Sequence, residues 1–345
     1  MASINLSENL LVICSSQHIN LFERQDSLNY SFLSTIDITT IEVNLKGNKK
    51  KKTDQDKILC FSLSNNSQYL AIGTTSKLLL IFNLNENKEL TQPFYCELIK
   101  APTKICFLNN ETVLVSNRFG SLFKFEIFES KISEGVELLG HFSMLLDFCI
   151  SPNGKLVLTA DRDEKIRISR FPQAYVIEGF CGCKVSETAI RKVGVVEIFE
   201  EEMSKEGIIC LPDQSNLILL FSLNDQQQMT KLCSFNCSNE NEYIFDFAVD
   251  MDRKTVFCVG RQGIYYFQPT TINLSSTAIS ELKLLQFSPP LNNSLLNELN
   301  LCEDQLPLNS LYKIPLNGKN IEDYKNRKEE KLGEKKKKLK EEEEN

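Results

Sequence analysis

The chain has 345 residues, 42% of them hydrophobic, with a net charge of −7, so it is long enough to bury a core and has no bulk positive charge with which to hold nucleic acid. Its 12 cysteines come with no basic N-terminal segment, and the apolar run Leu10 to Cys14 is too short for a secretion signal or a membrane span, which points to a reducing compartment, free thiols and no membrane contact. Two histidines, His18 and His141, exclude histidine-rich metal sites and leave little room for imidazole catalysis.

In chain order, short alternating runs of β-branched, aromatic and leucine residues are separated by Asn, Ser, Asp and Gly clusters, an all-β pattern. One kind of run recurs: Ile19 to Phe22, Leu79 to Phe82, Leu122 to Phe125, Ile166 to Ser169, Ile218 to Phe221, Ile264 to Phe267 and, less clearly, Leu311 to Ile314. The first interval is lengthened by the polar stretch Lys46 to Lys57, which reads as a loop insertion. The remaining spacing of roughly 40 to 50 residues is that of a β-propeller of four-stranded blades. Seven units over residues 1–316 predict a seven-bladed propeller, closed by N- and C-terminal strands sharing a blade. Ser64 to Ser67 and Ser151 to Gly154 read as tight turns between strands. From residue 317 to 345 the composition becomes charge-dense, predicting an exposed helical or unstructured tail.

A single unit carries a well-preserved WD-repeat signature; the other repeats are degenerate. It begins Gly140-His141-Phe142-Ser143-Met144-Leu145-Leu146-Asp147 and passes the turn Ser151-Pro152-Asn153-Gly154-Lys155. It ends in Leu158-Thr159-Ala160-Asp161-Arg162-Asp163-Glu164-Lys165-Ile166-Arg167-Ile168-Ser169. In such repeats a His, a Ser or Thr, a turn Asp and a terminal Trp share buried hydrogen bonds. His141, Thr159 and Asp163 match the first three as structural residues, and Ser169 stands where Trp is expected.

This stretch, continuing through Phe171-Pro172-Gln173-Ala174-Tyr175 to Phe180-Cys181, closely resembles the WD-repeat subunit of the eukaryotic tRNA guanine-N7 methyltransferase. Weaker resemblance extends to residues 61–82, 115–125 and the tail around Glu322 to Lys325. The resemblance implies a non-catalytic propeller that holds a separate S-adenosylmethionine-dependent methyltransferase as a heterodimer. It also implies that the pair forms N7-methylguanosine in the variable region of tRNA. On that reading the chain itself carries no cofactor and no metal, and works in the nucleus, with the cytoplasm as a second compartment. The segment said to meet the catalytic subunit maps onto Asp161, Arg162, Glu164, Lys165 and Arg167. Alternation supports this, because Ile166 and Ile168 facing a core would turn Lys165 and Arg167 to the opposite face. After Cys181 the Gly-His start of the next unit is replaced by Gly182-Cys183-Lys184, which leaves the local shape of the fifth blade open.

Other constellations are weaker. Cys181, Cys183, Cys233 and Cys237 could be drawn as a four-thiolate zinc site, but their spacing is not that of paired knuckles. The basic runs Lys49 to Lys52 and Lys335 to Lys338 read as nuclear signals, phosphate contacts or solvated segments. In the tail, Lys325, Arg327 and Lys328 are the candidates for tRNA phosphate contact. A generic WD-repeat adaptor of another assembly, such as a ubiquitin ligase, is the alternative, and a propeller hydrolase is the competing enzyme reading. The chain has no tryptophan for the Trp-Asp-x-Arg type of receptor motif, and shows no converging acid, base and metal ligands.

Overall fold

The computed structural model describes residues 2–6, 10–25, 30–45, 49–52, 56–85, 89–128, 131–181, 188–200, 203–213, 217–223, 229–236, 243–250, 254–260, 264–268, 279–281 and 283–284. The first blade is β1 (Ala2–Leu6), β2 (Leu10–Ser15), β3 (His18–Arg24) and β4 (Tyr30–Asp37). A 3-10 turn (Ile38–Thr40) and a separate hairpin, β5 (Glu42–Leu45) with β6 (Lys49–Lys52), follow it, so the run Lys49 to Lys52 is a paired strand. The second blade is β7 (Ile58–Leu63), β8 (Tyr69–Thr74), β9 (Leu78–Asn83) and β10 (Phe94–Glu97). In the third, β11 (Pro102–Asn109), β12 (Thr112–Asn117) and β13 (Ser121–Phe128) are followed by β14 (Lys131–Ile132) and β15 (Val136–Gly140), both paired with β13.

The fourth blade is β16 (Leu145–Ile150), β17 (Leu156–Asp161), β18 (Ile166–Arg170) and β19 (Ile177–Cys181). The fifth is β20 (Ile190–Glu200), β21 (Met203–Pro212), β22 (Leu217–Leu223) and β23 (Met229–Asn236), its first two strands the longest of any blade. The sixth has β24 (Ile244–Asp250), β25 (Thr255–Gly260) and β26 (Ile264–Phe267). Then β27 (Ile279–Glu281) runs parallel to β23 at the edge of the fifth blade, and β28 (Lys283–Leu284) pairs with β26. The six clear runs of the sequence pattern are the third strands of these six blades.

The expectation of seven blades is corrected; that of a helical tail falls on residues outside those described. Among the described residues there are six blades, and β1 of the first packs directly against β24 and β25 of the sixth. Among the described residues no C-terminal strand shares the first blade, which β1 to β4 form consecutively from the axis outward. Among the described residues the 3-10 turn is the sole helical element, and the expected seventh run, Leu311 to Ile314, and the tail 317–345 lie outside them. The physical reason for the error is that spacing counts repeats but does not register which two apolar faces meet.

Six apolar clusters fill the six joints. In β2, Leu10, Val12 and Cys14 face the second blade while Leu11 and Ile13 face the sixth, where they meet Phe245, Phe257, Val259 and Ile264. A blade buried on both faces is why β2 and β9 read as continuous apolar runs, with period-2 alternation hidden inside them.

The innermost strands carry a polar ring inside this apolar one. In five of the six blades the pairing of the first strand slips by one residue near its start. The residue after the slip is Cys60, Lys104, Asp147, Lys192 or Asp246. Lys104 Nζ lies 3.5 Å from Asp147 Oδ1, and Lys192 Nζ 3.1 Å from Asp246 Oδ1. Asp147 Oδ2 accepts the Val193 N–H at 2.8 Å, and Asp246 Oδ2 accepts the Ile4 N–H at 3.1 Å. Each carboxylate therefore ties three consecutive blades. Burial pulls the Lys104 ammonium down, but Asp147 and Asp246 together push its pKa above the ordinary lysine value. A second clasp at the closing joint is Arg24 to Asp250, 3.2 Å apart and buried.

Candidate partner-binding face

In an antiparallel meander the turns between second and third strands emerge at the same end as the connections between blades. The WD-like segment occupies that end in the fourth blade: His141 in the connection Gly140 to Leu145, and residues 162–165 in the turn between β17 and β18. His141 Nε2 lies 2.9 Å from Thr159 Oγ1, and Nδ1 lies 3.4 Å from Asp161 Oδ2. Nδ1 faces the carboxylate as a donor, while the Thr159 hydroxyl lies between His141 Nε2 and Arg167 O, the latter 3.3 Å away. His141 and Thr159 are thus brought together as read from the sequence. The carboxylate beside the imidazole is Asp161, in place of the expected Asp163. Asp163 joins through its backbone, its N–H donating to Asp161 Oδ1 at 2.8 Å. The reason is reach: Asp161 ends β17 on the same strand as Thr159, whereas Asp163 lies in the turn beyond it.

Arg167 is bonded to its own fold. Its position on β18 is paired with Thr159 of β17, and Ser169 is paired with Val157. The guanidinium is bound within the blade: Nε donates to Ser169 Oγ at 2.9 Å, Nη2 to Ala174 O at 3.0 Å and Nη1 to Gly140 O at 3.3 Å. Burial lowers its pKa from the ordinary arginine value. Arg167 therefore bridges the third and fourth blades and bonds Ser169, the residue that stands where a tryptophan was expected. Arg167 is half-buried and Asp161 is buried. The remaining members of the set, Arg162, Glu164 and Lys165, are half-buried, as is Asp163 beside them, on a turn that Glu164 completes with φ +65°. Two backbone bonds hold the turn, Arg162 N–H to Met144 O at 3.0 Å and Asp161 N–H to Lys165 O at 3.2 Å.

Lys325, Arg327 and Lys328 lie outside the described residues, as do Cys183 and Cys237; Cys181 and Cys233 sit in different blades. Among the described residues no group of three or more His, Cys, Asp or Glu side chains could hold a metal ion, and no helix is long and apolar enough to cross a membrane. Sequence reasoning missed the ring of inner-strand charges, whose signal was a Lys or Asp at the third position of runs such as Leu145-Leu146-Asp147 and Ile244-Phe245-Asp246.

The fold is similar to that of the Myceliophteria thermophila Cps50 (Swd1) β-propeller domain, with a TM-score of 0.52 and 11% identity over 76% of this chain and 80% of that one. Residues 131–184 match the family described as tRNA methyltransferase TRM82 WD40 domain. The chain is 36% identical over 134 residues to the mouse (Mus musculus) tRNA (guanine-N(7)-)-methyltransferase non-catalytic subunit WDR4, covering 37% of this chain and 30% of the relative. It is 36% identical over 129 residues to the human (Homo sapiens) WDR4, covering 36% and 29%. With the TRM82 subunit of Meyerozyma guilliermondii it shares 33% identity over 135 residues, covering 36% and 31%. The matched region thus spans about a third of the length of these curated relatives. The blade that holds the His141, Thr159 and Asp161 network, with its turn 162–165, is the segment through which this chain resembles the non-catalytic subunits of tRNA (guanine-N(7)-)-methyltransferase.

Proposed function

We propose that this chain is the non-catalytic subunit of a tRNA guanine-N7 methyltransferase, binding and stabilising a catalytic subunit that holds S-adenosylmethionine. The observation that carries the reading is the charged turn 162–165, fixed from beneath by His141, Thr159 and Asp161, inside the segment that matches the TRM82 WD40 family. A turn held this rigidly presents Arg162, Glu164 and Lys165 with little ordering cost on binding, which favours a specific, charge-complementary contact. The propeller then acts by preorganisation: it restrains its partner, and the chemistry is the partner's. Contact with tRNA through Lys325, Arg327 and Lys328, and a nuclear site of action, belong to the same proposal.

The test is co-expression of the full chain with the methyltransferase of its host, reading complex recovery and N7-methylguanosine in tRNA. Wild type is expected to recover the methyltransferase and support modification, and Lys165→Glu to lose both while keeping its fold. A wild-type chain that recovers no methyltransferase overturns the proposal and returns the generic adaptor. Fluorescent tagging in the host tests the nuclear site, and a purely cytoplasmic signal removes it.

A further inference from the structure

The candidate turn continues into an apolar strip. Three large side chains at the same end of the propeller are exposed: Ile99 (72%) between the second and third blades, Phe119 (64%) in the β12–β13 turn, and the fully exposed Phe142 between the third and fourth. These segments are bonded side by side. Arg118 N–H donates to Ala101 O at 3.3 Å, His141 N–H to Gly120 O at 2.9 Å, and Arg162 N–H to Met144 O at 3.0 Å. Gly120, at φ +96°, lies so close beneath the 141–143 backbone that a Cβ there would stand 2.6 Å from both His141 O and Ser143 O. The Phe119 and Phe142 loops are thereby pressed together, and Lys100 Nζ covers the Phe119 ring at 4.3 Å. A groove of about 70 Å³ lined in part by Leu98, Val115, Phe123 and Phe125 opens beside Ile99.

Exposed contiguous apolar groups mark interaction sites, and pockets beside aromatic anchors take the hot-spot residues of a partner. The rim carries cations on a chain whose net charge is −7: Lys100, Arg118, Arg162 and Lys165 lie on these loops, and Lys77, whose carbonyl accepts the Leu98 N–H at 2.7 Å, on the adjoining β8–β9 turn. Glu97, Asp163 and Glu164 are interspersed among them. Those three carboxylates, the aliphatic Ile99 and the apolar groove suit a protein better than a phosphate backbone.

We infer that the strip Ile99, Phe119 and Phe142 is the apolar centre of the docking surface, and that it receives a segment of the catalytic subunit with apolar side chains edged by carboxylates. This rests on the proposed function, with the charged turn 162–165 as the rim of the same surface.

The experiment measures the dissociation constant of the full chain for the co-purified methyltransferase, comparing wild type with Ile99→Ser, Phe142→Ser and their combination. All three variants are expected to melt at the wild-type temperature because the side chains are exposed. Each single variant should weaken binding at least tenfold, and the double variant by more. Wild-type affinity in the double variant, while Lys165→Glu still weakens binding, overturns the strip and leaves the proposed function standing. Absence of binding by wild type overturns both. Unchanged affinity for the methyltransferase together with loss of binding to a tRNA transcript makes the strip an RNA surface, and overturns the inference.

Discussion

The Ile4 N–H donates to Asp246 Oδ2 at 3.1 Å across 242 positions of the chain, and this bond spans the joint where the sixth blade meets the first. The other oxygen of the same carboxylate holds Lys192 at 3.1 Å, so one buried side chain ties the fifth, sixth and first blades. Asp246→Ala removes both contacts and strands a buried ammonium, a loss that typically costs about 3–5 kcal/mol. Urea unfolding should show that drop, with Asp246→Asn closer to wild type. Equal midpoints for Asp246→Ala and wild type would mean that the apolar contacts alone close the ring.

The two aspartates of the WD-like turn should separate in stability. Asp161→Ala takes the carboxylate from His141 and from the Asp163 N–H, and is expected to cost about 1–3 kcal/mol. Asp163→Ala keeps its backbone donor and should cost less. Thermal unfolding of the two variants decides it, and the reverse order would restore Asp163 as the partner of the imidazole.

Arg167 and Lys165 should separate in kind. Arg167→Ala removes donors from Gly140 O, Ala174 O and Ser169 Oγ, so its melting temperature should fall, with a loss of about 1–3 kcal/mol. Lys165→Glu should lower the melting temperature less than Arg167→Ala and act chiefly on partner binding. A stable Arg167→Ala that fails to bind its partner would return Arg167 to the interface.

Buried thiols predict alkaline sensitivity. Desolvation pushes the Cys96 and Cys60 thiols up to about 12 from an ordinary value of 9.0. In the unfolded chain these groups release their protons earlier, so above pH 9 the unfolded state binds fewer protons and stability falls until about pH 12. Their stabilising contribution is whole below pH 9 and is lost as pH rises through that window. Melting curves between pH 8 and pH 11 should show the decline, and Cys96→Ala should make it shallower. A pH-independent melting temperature across that range would remove the effect.

The sequence by itself determined the strands and the identifying segment. Runs such as Leu79 to Phe82 and Ile264 to Phe267 have to be strands buried on both faces, and their spacing has to be that of blades, because local alternation and turn chemistry are encoded within a few residues. The resemblance through residues 139 to 181 was equally local. Tertiary structure alone decided the number of blades that close the ring, since an apolar face does not by itself choose its cover, and the meetings of Ile4 with Asp246 and of Arg24 with Asp250 help select the pair. It also decided which charges are spent inside the fold. Asp161 and Arg167 are indistinguishable in sequence from Glu164 and Lys165, and their charged groups bond within the fold because His141, Gly140 and Ala174 arrive beside them from other strands and loops. The exposure of Ile99, Phe119 and Phe142 was decided there too, because exposure belongs to the neighbours a side chain meets.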